Sequence, residues 1–316
     1  MRFTTFVSTA ALSAALVVST AAAHAVTCAT FITSDLSLSN DLIDCPDQGL
    51  IVSSVTSITI KLNGHTISGL PGSSSGIGIA DSTDVVVVGP GVIKGFTAGL
   101  AINSSNSVRV ENLILANNSN NIYMLDTVDS LILGSTLSDG SNGVLIDGAG
   151  VSYANRVMDN EIVNNSTNGI MLRGVSKTEI DGNYIKANGV GLNLSGADNN
   201  VAIGNTFLTN TYGVKFDVVT PGAAGADRNL IQSNRFRYNT NGIVAQAFAG
   251  GPGRNRYNVI DKNRVYDGDV GINIDGPKNI KTRVRYNNIV RMSADYIIDT
   301  GTATAIVGNT CTPGPC

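Results

Sequence analysis

Apolar and polar residues alternate in short bursts along this chain, and the bursts recur at a fixed distance. Residues 169–190 read GIMLRGVSKTEIDGNYIKANGV and residues 191–212 read GLNLSGADNNVAIGNTFLTNTY, one pattern written twice with a period of 22 residues. After each Gly, a two-residue alternation sends Ile170 and Leu172, then Leu192 and Leu194, to one side, as in a strand with one buried face. A second apolar pair follows around an Asn. A unit of this size cannot bury its apolar face alone, so the pattern predicts stacked coils that share one core.

The starts run through Gly76, Gly99, Gly143, Gly169, Gly191, Gly213, Gly242 and Gly271, with Asn121 and Asp295 standing in for Gly at two more. Between them recurs Asn-x-apolar, at Asn112, Asn160, Asn183, Asn205, Asn234, Asn263, Asn287 and Asn309, with Ser135 as the substitute. These positions predict an all-β solenoid of about ten coils, a rod roughly 50 Å long at the spacing of neighbouring strands. Asn is expected at the corners, because it tolerates the left-handed conformation and its amide can stack from coil to coil.

The chain divides into residues 1–25, 26–54, 55–310 and 311–316. The first segment carries Arg2, an apolar run and the small-residue pattern Ala23-His24-Ala25, the marks of a secretory signal peptide. The second is a cap, in which Ile32, Leu36, Leu38, Leu42 and Ile43 are expected to cover the first coil. The third is the solenoid, and the fourth is a short tail. No segment has the roughly 20 apolar residues of a membrane span. Four Cys in an exported chain, Cys28 with Cys45 and Cys311 with Cys316, predict one disulfide at each end. A secreted or periplasmic monomer is expected.

The repeats, together with ITIKLNGHTISG at residues 58–69, resemble the pectate-lyase-like group of exported proteins. The resemblance implies a single-stranded right-handed parallel β-helix with capped ends. The group includes polysaccharide lyases, uronate epimerases, glycoside hydrolases and copper-delivery accessory proteins, so the resemblance carries fold and leaves chemistry to the residues.

Charge narrows the chemistry. Residues 228–291 hold twelve Lys and Arg against four Asp, a net of +8, although the whole chain is at −3. Four of the nine Tyr lie there too. The longer coils carry their extra residues at 148–155, 218–229 and 247–258, and insertions in a solenoid gather on one face. An anionic polymer is the expected partner, and the exported address points to an acidic polysaccharide rather than nucleic acid.

Counting along the strands predicts an outward face bearing Arg173, Asn193, Lys215 and Asn273, beside loops bearing Arg228, Arg254, Arg256 and Tyr257, with Arg235 and Arg264 in the same basic third. Cleavage of a uronate by β-elimination needs a carboxylate clamp, a base and a proton donor. Lys215 is the expected base, Arg254 or Arg256 the clamp and Tyr257 the donor, with Arg256 kept as a catalytic candidate. The remaining Arg and Asn residues are expected to bind substrate. Asp217 and Asp275 offer oxygens for a Ca²⁺ that would neutralise the substrate, as the resembling lyases do. A non-catalytic carbohydrate-binding or cell-surface rod is the alternative.

Other chemistries are disfavoured. Hydrolysis would use a carboxylate pair such as Asp261 with Asp267 or Asp269. Copper delivery would want imidazole or soft sulfur ligands, and His65 is the one His after residue 25. His65 is read as structural.

Overall fold

A computed structural model describes residues 26–148, 151–217, 225–247 and 253–316. The signal-peptide reading therefore lies outside the described residues, as do parts of the three insertions. Among the described residues there is no helix. The strands form three parallel sheets of twelve, here sheets A, B and C, and each coil contributes one strand to each in turn. The coil count exceeds the expected ten partly because residues 26–54 form a coil themselves, with strands Thr30–Phe31, Leu36–Ser37 and Leu42–Cys45.

The 22-residue alternation becomes the sheet A register. Ile170 lies beside Leu192 and then Val214, and Leu172 beside Leu194 and then Phe216, all buried in the shared core. Phe207 and Phe236 continue that core under sheet C as a stacked pair, with ring centroids 4.8 Å apart. Burying side chains of this size stabilises each coil by about 1.5–3 kcal/mol apiece.

The Gly at each start is required by close packing. A Cβ on Gly191 would meet the Gly213 carbonyl oxygen at 2.5 Å, and one on Gly213 would meet that of Gly242 at 2.5 Å. In the last coil the corresponding place is held by Tyr296, since Asp295 pairs with Val270 one position earlier.

The recurring Asn residues do not take the left-handed corner. That conformation falls on the residue before them, at Gly182, Gly204, Ser233, Lys262 and Tyr286. The Asn itself is buried, and its amide is shared between coils. Asn205 Nδ2 donates to the Ile180 carbonyl at 2.8 Å and to Asn234 Oδ1 at 3.0 Å, while its Oδ1 accepts the Asn183 amide at 2.9 Å. The side chain thus satisfies backbone groups that the bend takes out of the ladder. In the same column Leu113 is the buried residue, and Asn112 before it has φ +53°. The expected assignment of Asn112 to this column is off by one.

Two disulfides, Cys28–Cys45 and Cys311–Cys316, close the ends as expected. At the first end Ile32, Leu38 and Leu42 are buried, but Ile43 points to solvent. At the second, the short Cys311–Cys316 loop leaves Ile306 and Val307 exposed.

Candidate functional site

The corner between sheets A and B is itself paired from coil to coil. Strands Asn255–Arg256 and Asn279–Ile280 form a two-stranded sheet there, so the side chains they carry stand on a rigid ledge. Behind the ledge, Asn255 Nδ2 donates to Asn279 Oδ1 at 2.9 Å, and Asn255 Oδ1 accepts the Ala226 amide at 3.0 Å.

Four consecutive coils bring Asp198, Asp227, Arg256 and Ile280 into one column of this ledge. They line a cleft of about 590 Å³ with Gly225, Gly253, Arg254 and Lys278. Gly225 is there because a Cβ would overlap the Arg254 carbonyl oxygen, at 1.5 Å. The column is wired upward. Asp227 is buried and held by Arg256, whose amide N–H donates to Oδ1 at 2.7 Å and whose Nε–H donates to Oδ2 at 2.8 Å, with Nη2 in ion-pair contact with Oδ2. Asp227 in turn gives its amide to Asp198 Oδ1 at 2.8 Å. Arg256 is held more firmly protonated by the Asp227 carboxylate. Burial, with the Asp227 charge adding to it, pushes the Asp198 carboxyl above its ordinary range, while the Asp227 amide that it accepts and the nearby Arg228 and Arg256 pull the other way.

The next residue of each coil makes a second column. Arg228 Cζ lies 5.4 Å from the centre of the Tyr257 ring, and Lys281 Nζ lies 5.4 Å from it as well. Cations of the coils before and after thus flank one exposed ring, each contact worth about 0.5–1 kcal/mol at such a site. Tyr257 is held at φ +58°, which is costly for a bulky side chain and fixes where the ring stands. Arg228, Arg254, Arg256, Lys278 and Lys281 face two carboxylates across this corner.

The structure therefore gathers Arg228, Arg254, Arg256 and Tyr257 and adds Asp198, Asp227, Lys278 and Lys281, which the sequence reading did not single out. Their signal was present: ADNN at 197–200, ADRN at 226–229, NRYN at 255–258 and NIKT at 279–282 align in register and show both columns.

The remaining candidates lie elsewhere. Arg173, Asn193, Lys215 and Asn273 occupy outward positions of sheet A, in the expected register. Lys215 Nζ is 3.2 Å from Asp217 Oδ2, and Arg173 Nε donates to Asp147 Oδ1 at 3.0 Å. Asn193 Nδ2 donates to Asn168 Oδ1 at 3.1 Å, and the Oδ1 atoms of Asn193 and Asn273 are buried with no partner among the described residues. Arg235 and Arg264 are neighbours on sheet C, so the basic third does not line one groove. Asp217 and Asp275 stand two coils apart with Gln246 on the coil between. Among the described residues, no three His, Cys, Asp or Glu gather as metal ligands would. Asp261 is buried on sheet B between Gln232 and Arg285, whereas Asp267 pairs with Arg291 beyond sheet C. His65 Nδ1 lies 3.0 Å from Asp41 Oδ1 near the first coil.

The family model described as periplasmic copper-binding protein (NosD) matches residues 53–250. No curated protein sequence matches the chain. Among solved structures, the periplasmic alginate epimerase AlgG is similar at 13% identity and a TM-score of 0.55, covering 88% of this chain and 76% of its own. Endopolygalacturonase I from Stereum purpureum, complexed with two galacturonate, is similar at 14% identity and a TM-score of 0.57, covering 90% of this chain and 96% of its own. At these identities the likeness shows a shared parallel β-helix.

Proposed function

This chain belongs to the periplasmic copper-binding protein (NosD) family, and from that premise and the corner site we propose that it works outside the cytoplasm on an acidic, uronate-containing polysaccharide. Two disulfides fit an oxidising compartment.

The copper of the family's description finds no fitting donor set among the described residues. All four Cys are in disulfides, His65 is engaged by Asp41, and Met124 and Met292 are buried in the core. Met158 and Met171 face outward from different sheets. No step is routed through copper.

The observation that carries the reading is the A/B corner, where five cations flank an exposed Tyr ring and a cleft on a β-paired ledge. Guanidinium groups match carboxylates in shape and charge, and an aromatic face packs on a sugar ring. Two structural neighbours, the alginate epimerase and the endopolygalacturonase, handle uronates by their own descriptions, in keeping with this partner.

The finer reading is cleavage by β-elimination. Arg254 or Arg256 would neutralise the sugar carboxylate, Lys215 would take the C5 proton and Tyr257 would protonate the leaving oxygen. In its favour, Lys215 is the one lysine on the strands of sheet A among the described residues. Asp217 and Asp275, two coils apart with Gln246 between, do not fit one Ca²⁺ together, so no step is routed through calcium. The test is to incubate the oxidised protein with polygalacturonate, alginate, hyaluronan, heparosan and glucuronan, with and without Ca²⁺. Ultraviolet absorbance of an unsaturated uronate reports elimination, and salt-sensitive retention on the polymer reports binding. Retention without absorbance leaves a binding rod, and neither signal on any polymer removes the proposal.

A further inference from the structure

We propose that the A/B corner cleft is a subsite for one uronate unit, in which Arg254 receives the sugar carboxylate and Asp198 receives its hydroxyls. This deepens the acidic-polysaccharide reading and rests on it.

Two carboxylates in the same column have different fates. Asp227 has both oxygens engaged by Arg256. Asp198, one coil earlier, accepts only the Asp227 amide on Oδ1, and its Oδ2 has no hydrogen bond or ion pair among the described residues. Asp198 is half-buried, lines the cleft and has the Asp227 side chain for a neighbour. A carboxylate so placed is costly unless donors reach it, and the donors a sugar offers are hydroxyls. Burial raises its pKa, the direction expected of a group short of such donors.

Arg254 lines the same cleft, is exposed, and ion-pairs with no carboxylate among the described residues. Of the two guanidinium groups that line the cleft, Arg256 is taken by Asp227, which leaves that of Arg254 without an ion pair among the described residues. Asp198 as an acceptor and Arg254 as a cation, both lining a cleft of about 590 Å³, match a sugar ring that carries hydroxyls and a carboxylate. The charge sign makes the claim sharp. A role in binding through hydroxyls requires Asp198 to help an anionic ligand, although its charge alone would repel one.

The experiment is calorimetric titration of the oxidised full chain with tetrasaccharides of galacturonate, mannuronate and glucuronate, each also in a carboxyl-reduced form. Asp198→Asn keeps the shape and should weaken both forms about tenfold or more. Arg254→Ala should weaken the acidic form similarly and leave the reduced form unchanged, with circular dichroism confirming the fold of both variants. Binding by the wild type that neither substitution weakens, or that Asp198→Asn tightens, overturns the subsite and leaves the acidic-polysaccharide reading standing. A wild type that binds polymer but no tetrasaccharide also overturns the subsite. A wild type that binds neither overturns both.

Discussion

Arg256 neutralises Asp227 from the next coil, and among the described residues no cation ion-pairs with Asp198 one coil below. The consequence for stability is testable. The Asp198 carboxyl is raised in the folded chain above its ordinary 3.8 by burial and by the Asp227 charge, against the Asp227 amide, Arg228 and Arg256. A carboxyl with a raised folded pKa binds protons more tightly folded than unfolded, so its contribution worsens as pH rises from 3.8 through the folded value. Asp198→Asn should therefore raise the melting temperature at pH above that folded value. The gain should shrink as pH falls toward 3.8. An equal or lower melting temperature for the variant at neutral pH would contradict the assignment of Asp198 as an uncompensated charge.

The amide ladder makes a different prediction. Asn205→Ala strips partners from the Asn183 amide and the Ile180 carbonyl inside the core. Each buried group left unsatisfied costs about 1–3 kcal/mol, so a loss on the order of 3 kcal/mol is expected in urea unfolding. Asn205→Leu should fare no better, even though Leu113 holds the same column earlier in the chain, because the Asn183 backbone N–H and the Ile180 carbonyl would still lose their side-chain partner. A loss below about 1 kcal/mol for both would show the ladder to be energetically idle.

Gly225 sets the approach of two coils at the cleft. Gly225→Ala would drive a Cβ into the Arg254 carbonyl, so that Arg254 and the ledge must shift. The three sheets lie outside that contact. Far-ultraviolet circular dichroism should be unchanged while uronate binding falls about tenfold or more, and retained binding would separate the ledge from recognition.

The fold was legible because its rule is local. A strand of period two, a Gly where coils touch and a fixed repeat each leave a mark in a single coil, as at Gly169 and Gly191. The role of Asn was misread at the corner because Asn suits both the left-handed conformation and the amide ladder. The structure gives the first to variable residues such as Lys262 and Tyr286 and the second to buried Asn. The corner site was half legible. Arg228, Arg254, Arg256 and Tyr257 stand out by charge and by their place beside the insertions. Asp198, Lys278 and Lys281 join them only once the corner columns are read in register. Arg235 and Arg264 show the converse, since adjacency in a basic stretch did not bring them to the same face.

The most direct measurement compares two pairs of cations on different faces. Affinity for polygalacturonate and alginate should be measured by salt-dependent retention for the wild type, for Arg228→Ala with Lys281→Ala at the A/B corner, and for Arg235→Ala with Arg264→Ala on sheet C. Both double variants remove the same charge from the chain. The corner variant should lose about tenfold or more in affinity, and much of the salt dependence, while the sheet C variant binds as the wild type does. Equal losses, or a loss confined to the sheet C variant, would contradict a polysaccharide site at the corner.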